Sequence, residues 1–451
     1  MNKYFNNIMQ VKKVKTFVYL FMITIFGYAF ILSNSTLQAQ TLEELQKQAF
    51  EKRDIVKKYL TELENKKEKV KEQKGAFMPS LDIGYTVNIL NHDTIMGESK
   101  ENDTFQSAIS WNAFAGFSDY YKLKAAEIMT RYSIEMVEST RQDICLNVAL
   151  RFLEVYTALE NLKVAEDEIK LYNDRLRQIE LKFKVGVLKK SDVLKVKVER
   201  DNAIQTERKV RAAVDKSLNQ LARESGILIN KQSTNSLLNE SLKSSELDFS
   251  LFQILPQKSD YHTLEPLLIK NRSDLNALKQ TLEASEMGIK ASKAALYPRA
   301  DISLSYSSHT RDDFFIESME NSGDEVRCQT TISMNLFDGM QKYSKVRQAK
   351  FEKKGIQHDI IELESTLKTA LQNTLIEAEV AFDNLAVAAA GTKEAEENLR
   401  VTDLGFEQGI GTSSDVLDAI YNLSRARFNE INAHTQVFAN DFQIKRLTES
   451  F

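Results

Sequence analysis

This chain repeats itself, and the repeat limits its fold more than any other feature of the sequence. KGAFMPSLDIGY (74–85) returns as KAALYPRADISLSY (293–306), with Pro79 against Pro298 and Asp82 against Asp301, an offset of 219 residues. FAGFSDYYKLKAA (114–126) returns as FDGMQKYSKVRQA (337–349) at an offset of 223, aligning Gly116 with Gly339. FKVGVLKKSDVL (183–194) returns as FEQGIGTSSDVL (406–417) at the same offset, so Gly186 meets Gly409 and Asp192 meets Asp415. A fold that satisfies this pattern is one supersecondary unit used twice. Each unit reads helix, strand, loop, strand, long helix, tip, helix. The first repeat covers 40–226, with strands at 80–91 and 104–115 and a tip at 184–192. The second covers 266–448, with strands at 299–308 and 326–338 and a tip at 407–415. The segment 227–265, with KQSTNSLLNESLKSSELD and Pro256, reads as an irregular connector.

The helices are long because little interrupts them. Gly 15 and Pro 4 in 451 residues is very sparse punctuation. Ile356, Ile360, Leu363, Leu367, Leu371, Leu375, Ala378, Phe382, Leu385 and Ala389 form one stripe at three-and-four spacing. In the first repeat, Val155, Leu162, Ile169, Leu176 and Phe183 recur every seven residues, a coiled-coil period. From Gly116 to Gly186, and from Gly339 to Gly409, each helix reaches about 100 Å at 1.5 Å per residue. A globular core needs no such length; the helix spans a distance.

The strands alternate. Leu81, Ile83, Tyr85, Val87 and Ile89 face one way, and Asp82, Gly84, Thr86 and Asn88 the other. Val326, Cys328, Ile332, Met334 and Leu336 oppose Arg327, Gln329, Thr331, Ser333 and Asn335. About ten residues with one apolar and one small polar face suits a membrane β-barrel, and also a soluble sheet covered on one side. In a bilayer, four strands cannot close a barrel, and open edges leave N–H and C=O groups unpaired. Several chains must then share one barrel. Pro79 and Pro298 stand where a helix ends and a first strand opens. The polar, acidic stretches at 91–103 and about 308–325 are expected to be strand connections.

Lys12, Lys13 and Lys15 precede the apolar run TFVYLFMITIFGYAFIL (16–32), and a small-residue cut falls near Ala39. Residues 1–39 are therefore expected to be a cleaved export signal. Those residues carry four lysines and no acid, so a formal charge of −4 becomes −8 after the cut. An acidic exported chain is a poor partner for nucleic acid. Cys145 and Cys328 fall in different kinds of element and are expected to stay unpaired. No His/Cys metal spacing, Walker loop or nucleophile elbow is present, so neither cofactor, metal nor catalysis is expected. GIGTSS fails as a dinucleotide loop because Ser414 stands where the third glycine belongs.

At the tips, Gly186 and Gly409 end long helices where positive φ is wanted. Thr412-x-x-Asp415 reads as a capping box, and Asp415 and Asp418 share one helix face at i, i+3. The first tip carries Lys189, Lys190 and Lys195, with Lys195 aligned to Asp418.

Doubled helix–Pro–strand–loop–strand–FxG–long helix units with a G…SDVL tip resemble the TolC-type outer-membrane efflux proteins, over nearly all of the mature chain. The resemblance implies a mainly α fold with membrane β. Long coiled-coil-like hairpins would form an α-helical barrel, and four strands per chain would complete a 12-stranded β-barrel in a homotrimer. It implies a periplasmic tunnel, outer-membrane lipids around the barrel, and docking on a periplasmic adaptor (membrane fusion) protein and an inner-membrane pump of RND, ABC or MFS type. Drugs or proteins would be the cargo, and no chemistry would be catalysed. A periplasmic coiled-coil adaptor or scaffold is the other reading, since its hairpins look similar. The resemblance also implies that Asp415 and Asp418 line a constriction, with Asp192 kept in the first tip. Gly186, Val187, Leu188, Gly409 and Gly411 would turn the tips and meet the adaptor, while Gly116 and Gly339 would join strand to helix. The family's best-known members close the gate with a tyrosine and an arginine where this chain has Phe406 and Gly411. Lys189, Lys190 and Lys195 are therefore expected to face the second tip's aspartates as substitute partners.

Overall fold

A computed structural model describes residues 40–89, 91, 101–227, 247–258, 260–310 and 324–451. The expected export signal and most of the two expected strand connections lie outside these residues, as does much of the connector.

The first repeat opens with α1 (Leu42–Lys52) and α2 (Asp54–Gly75), then β1 (Ser80–Ile89) and β2 (Glu101–Phe114). Next come the long α3 (Ser118–Lys184) and the returning α4 (Lys190–Glu224). The second repeat follows the same order: α5 (Tyr261–Asn271), α6 (Ser273–Lys293), β3 (Arg299–Thr310), β4 (Asp324–Ser333), α7 (Gln341–Glu407) and α8 (Ser413–Thr448). Helix α5 begins inside the segment read as connector. What the sequence reads as one opening helix is two in each repeat. The breaks fall at Arg53 and Arg272, both in extended conformation and 219 residues apart. Each arginine ties down the end of its repeat's returning helix. Arg53 pairs with Glu224 at 2.6 Å, and Arg272 donates to the Arg446 carbonyl at 2.7 Å.

The long helices are 67 residues each, about 100 Å at the helical rise. Each starts from a strained turn that both repeats share. Gly116 and Phe117, like Gly339 and Met340, take positive φ one after the other. Phe117 and Met340 sit there at a steric cost of roughly 1–2 kcal/mol each. Glycine at 116 is also required by space, since an added Cβ would lie 2.4 Å from the Ala294 carbonyl oxygen.

The four strands form one antiparallel sheet in the order β1-β2-β3-β4. Its register gathers most of the alternating side chains into an apolar and a polar face, with Ser107 and Thr330 among the exceptions on the apolar one. Leu81 pairs with Ile109, Tyr85 with Phe105, Trp111 with Ile302, and Leu304 with Cys328, all on the apolar face. Gly84 with Gln106, Ser110 with Ser303, and Ser305 with Arg327 lie on the polar one. Strand ends differ from expectation. Strand β2 starts at Glu101, β3 runs to Thr310, and β4 stops at Ser333. Met334 and Leu336, expected at the end of β4, lie beyond it; the chain there turns toward Gly339 and loses its pairing with β3.

The core is divided along the length. One cluster joins α1, α2, α3, α4 and α8 with Leu247 and Phe252 of the connector, around Phe152, Phe438 and Phe442. A small one sets Leu268 against Leu367 and Leu371. The third lies at the tips. Cys145 is buried and Cys328 exposed, both as free thiols. Among the described residues, no helix is long and apolar enough to cross a membrane.

Candidate functional site at the paired helix tips

Both tips close the same way, for the reason the sequence suggests. At the first, Gly186 has φ +82°, its N–H reaches the Phe183 carbonyl at 3.0 Å, and the Val187 N–H reaches Lys182 at 2.9 Å. At the second, Gly409 has φ +77°, its N–H reaches the Phe406 carbonyl at 3.3 Å, and the Ile410 N–H reaches Gly405 at 2.9 Å. These are Schellman closures, which satisfy the last helical carbonyls and need a left-handed residue. Gly411 adds a third bond to the Gly405 carbonyl at 3.0 Å. An added Cβ there would sit 3.2 Å from the Phe406 nitrogen, so this turn is tighter than the first, where Leu188 occupies the equivalent place and packs on the tip cluster.

The next helix starts differently in the two tips. The Thr412 hydroxyl accepts the Asp415 N–H at 3.3 Å, and Asp415 Oδ2 accepts the Thr412 N–H at 2.8 Å, a complete capping box. The Thr412 hydroxyl and N–H hold the Asp415 carboxyl below the usual carboxylate range. In the first tip Asp192 accepts the Lys189 N–H at 3.1 Å, but no hydroxyl stands at the cap to answer it.

The two tips pack on each other. Val193 of the first SDVL and Val416 and Leu417 of the second enter one cluster with Tyr172, Ile179, Val196, Phe406 and Ile420. The motif is not used symmetrically, because Leu194, the counterpart of Leu417, is 52 % exposed. Val185, Val187 and Ile410 are also exposed at the tip ends. Asp415 and Asp418 both lie exposed, and at i, i+3 they share a helix face. Among the described residues neither forms an ion pair. Of the three first-tip lysines, Lys195 reaches the second tip, with its Nζ 3.2 Å from the Ser414 hydroxyl. Lys190 is exposed. Among the described residues, neither it nor Lys189 pairs with Asp415 or Asp418 within the chain.

Sequence reading missed the polar residues that join the two repeats here. Arg175 of α3 has a side chain only 5 % exposed, and its guanidinium pairs with Asp403 of α7. It also lies 5.0 Å from the centre of the Phe406 ring. Lys182 stands over the same ring at 4.0 Å and donates to the Phe406 carbonyl at 3.2 Å. Glu168 of α3 is buried seven residues before Arg175. Burial holds its carboxyl above the usual range, opposed by a hydrogen bond from Ser424 of α8 and assisted by Glu199. The buried seam of α3 here is Ala165, Glu168, Tyr172, Arg175 and Ile179, a heptad pattern with charges at one of its two positions. Of the expected stripe, Val155 and Leu176 are buried and Ile169 packs on the tip cluster, but Phe183 is 42 % exposed. A count of apolar residues passes over Glu168 and Arg175, although their seven-residue spacing was there to find.

A sheet with one apolar face, two hairpins whose long arms run about 100 Å and a doubled unit define a membrane channel built from strand and helix. The chain belongs to the outer membrane efflux protein family, whose pattern it matches over residues 45–226 and 264–448. It is similar to the outer membrane protein TolC of Vibrio cholerae serotype O1, 22% identical over 424 residues and covering 92% of this chain and 91% of that protein. Its fold resembles the Campylobacter jejuni CmeC outer membrane channel with a TM-score of 0.75 at 12% identity, covering 90% of this chain and 85% of that one. It also resembles the outer-membrane channel OprN, with a TM-score of 0.73 at 14% identity over 90% and 89% of the two chains. The family is one of outer-membrane efflux channels. The adaptor reading gives way to this family membership.

Proposed function

We propose that three copies of this chain form one continuous duct, a shared 12-stranded barrel in the outer membrane leading into a helical tunnel across the periplasm. One observation carries the reading. Every residue of β1 and β4 is exposed, and among the described residues the sheet's apolar face is uncovered and its two edges, β1 and β4, are unpaired. Ten-residue strands match the thickness of a bilayer, and the free edges require neighbours of the same kind. Three sheets of four strands give a closed barrel with the apolar face to lipid and the polar face to the lumen.

The far ends of the hairpins then lie in the periplasm. Exposed Val185, Val187 and Ile410 suit docking by a periplasmic adaptor, which would couple the duct to an inner-membrane pump of RND, ABC or MFS type. Three chains bring six carboxylates, Asp415 and Asp418, to the tunnel end. Like charges so gathered repel one another and draw cations, which makes a gate that cations tighten. The test is outer-membrane fractionation followed by electrophoresis without boiling. A heat-labile trimer in the outer membrane supports the duct, whereas a monomer there would overturn it. For the gate, Asp415→Asn with Asp418→Asn should abolish block of single-channel current by multivalent cations. Unchanged block would remove these residues from the constriction.

A further inference from the structure

We infer that Arg175 is the positioning residue that fastens the two hairpins together at their tip ends, acting through Asp403 and Phe406. In this region α3 belongs to the first repeat and α7 to the second, and each mainly packs on its own returning helix. Besides the shared apolar cluster, in which Tyr172, Leu176 and Ile179 meet Phe406, α3 and α7 are joined by polar contacts. Arg175 pairs with Asp403 through Nη2, its Nη1 donates to Gln178 at 2.8 Å, and its guanidinium carbon lies 5.0 Å from the centre of the Phe406 ring. A buried guanidinium keeps its charge, so it must keep a partner, and Asp403 is the carboxylate that the other repeat supplies. Breaking such a pair leaves an uncompensated charge inside the protein. The planar fork also fixes direction as an apolar contact does not.

Phe406 makes this a clamp on the tip rather than a general tie. Its carbonyl accepts the Gly409 N–H that closes the second turn and also accepts Lys182 Nζ at 3.2 Å. The ring is buried in the tip cluster between two cations. Two residues of the first repeat therefore hold the last turn of α7, from which Thr412, Asp415 and Asp418 follow. Swinging the second hairpin away from the first has to expose Phe406 and part Arg175 from Asp403. The clamp is one-sided. The repeat places Asn398 on α7 where α3 has Arg175, and Gly391 where α3 has Glu168. Its ion pair lies at 175 and 403, away from Lys189, Lys190 and Lys195, where the sequence placed the closing contact.

The consequence for transport rests on reading the tips as a gate; the clamp itself does not. Two measurements separate them. Spin labels go on exposed Lys184→Cys and Glu407→Cys, at the ends of α3 and α7, with Cys328→Ser and Cys145 left buried. Labelled chain is diluted with unlabelled chain so that pairs within one chain report. Arg175→Met should broaden and lengthen the distance distribution. The exchange Arg175→Asp with Asp403→Arg should restore it, which a purely space-filling role would not predict. Asp403→Asn, at a half-exposed position, gives the same reading if Arg175→Met fails to accumulate. An unchanged distribution in the variant that accumulates overturns the clamp. Single-channel current is the second readout, expected to rise several-fold in Arg175→Met and to fall back in the exchange. Distances that change while current does not would leave the clamp standing and remove the gate.

Discussion

The two long helices have the same length, the same place in the repeat and the same turns at both ends, yet α3 buries 20 residues and α7 buries 7. Helix α3 is surrounded by its own chain, packed by α1, α2, α4, α6 and α8. Helix α7 meets α5, α6 and α8 and leaves Phe351, Ile361, Ile376, Val380, Val387, Val401 and Leu404 exposed. Ile376, Val380, Val387, Val401 and Leu404 keep a seven-residue register of their own, a second apolar stripe. A helix that is apolar on two sides has two neighbours to satisfy. Within one chain α7 has one side met, and the duct reading supplies further copies for the other. The repeat thus produced two similar helices and assembly gave them different work: α3 became the mast of the subunit, α7 the surface it offers.

The sharpest way to break this contrast uses one substitution at two equivalent sites. Val164 of α3 is 8 % exposed and its counterpart Val387 of α7 is 72 % exposed. Val164→Asp buries an unpaired charge and should prevent accumulation of folded protein. Val387→Asp should yield folded chain that no longer runs as a trimer in unboiled electrophoresis. A Val387→Asp trimer of normal stability would mean that α7 does not face other copies. The next effect is a matter of degree. Phe152→Ala empties the main cluster and should cost about 3–5 kcal/mol. Leu375→Ala, at the equivalent but half-buried position, should cost less than half as much in denaturant titration of the extracted protein.

Smaller still is the difference between the helix starts. Thr412→Ala removes a hydroxyl that accepts a backbone N–H and should cost about 1 kcal/mol, seen as faster amide exchange in the first turn of α8. Lys189→Ala removes no such acceptor and should leave α4 unchanged. The smallest effect depends on pH and belongs to α3 alone. Glu168 has its carboxyl raised chiefly by burial, so the folded state holds a proton that the unfolded state releases. The resulting stability is fully present below the ordinary carboxylate range and is lost as pH rises through the raised value. Glu168→Gln should therefore flatten the fall of the denaturation midpoint as pH rises above the ordinary carboxylate range. An unaltered profile would show that Glu168 is not the group that responds.

Much of this architecture lies open in the primary structure because it rests on local rules. Alternation fixed the sheet's faces, so Leu81 meets Ile109 and Leu304 meets Cys328 on the apolar one. Gly186 and Gly409 announced left-handed closures, and Thr412 announced its cap. Scarce glycine and proline set the length of α3 and α7. None of these depends on what lies across the fold. Arg175, Lys182, Asp403 and Glu168 are another matter. A charged residue on a helix is ordinarily solvated, and whether it is buried depends on which neighbour lies against that face. The breaks at Arg53 and Arg272 could not be foreseen either, because extended arginine is stable there only with the end of a distant helix to hold. Local chemistry chose the elements and their lengths. Tertiary packing chose which charges went inside and so how the two tips are joined, since burial is a property of two surfaces and the sequence records each surface separately.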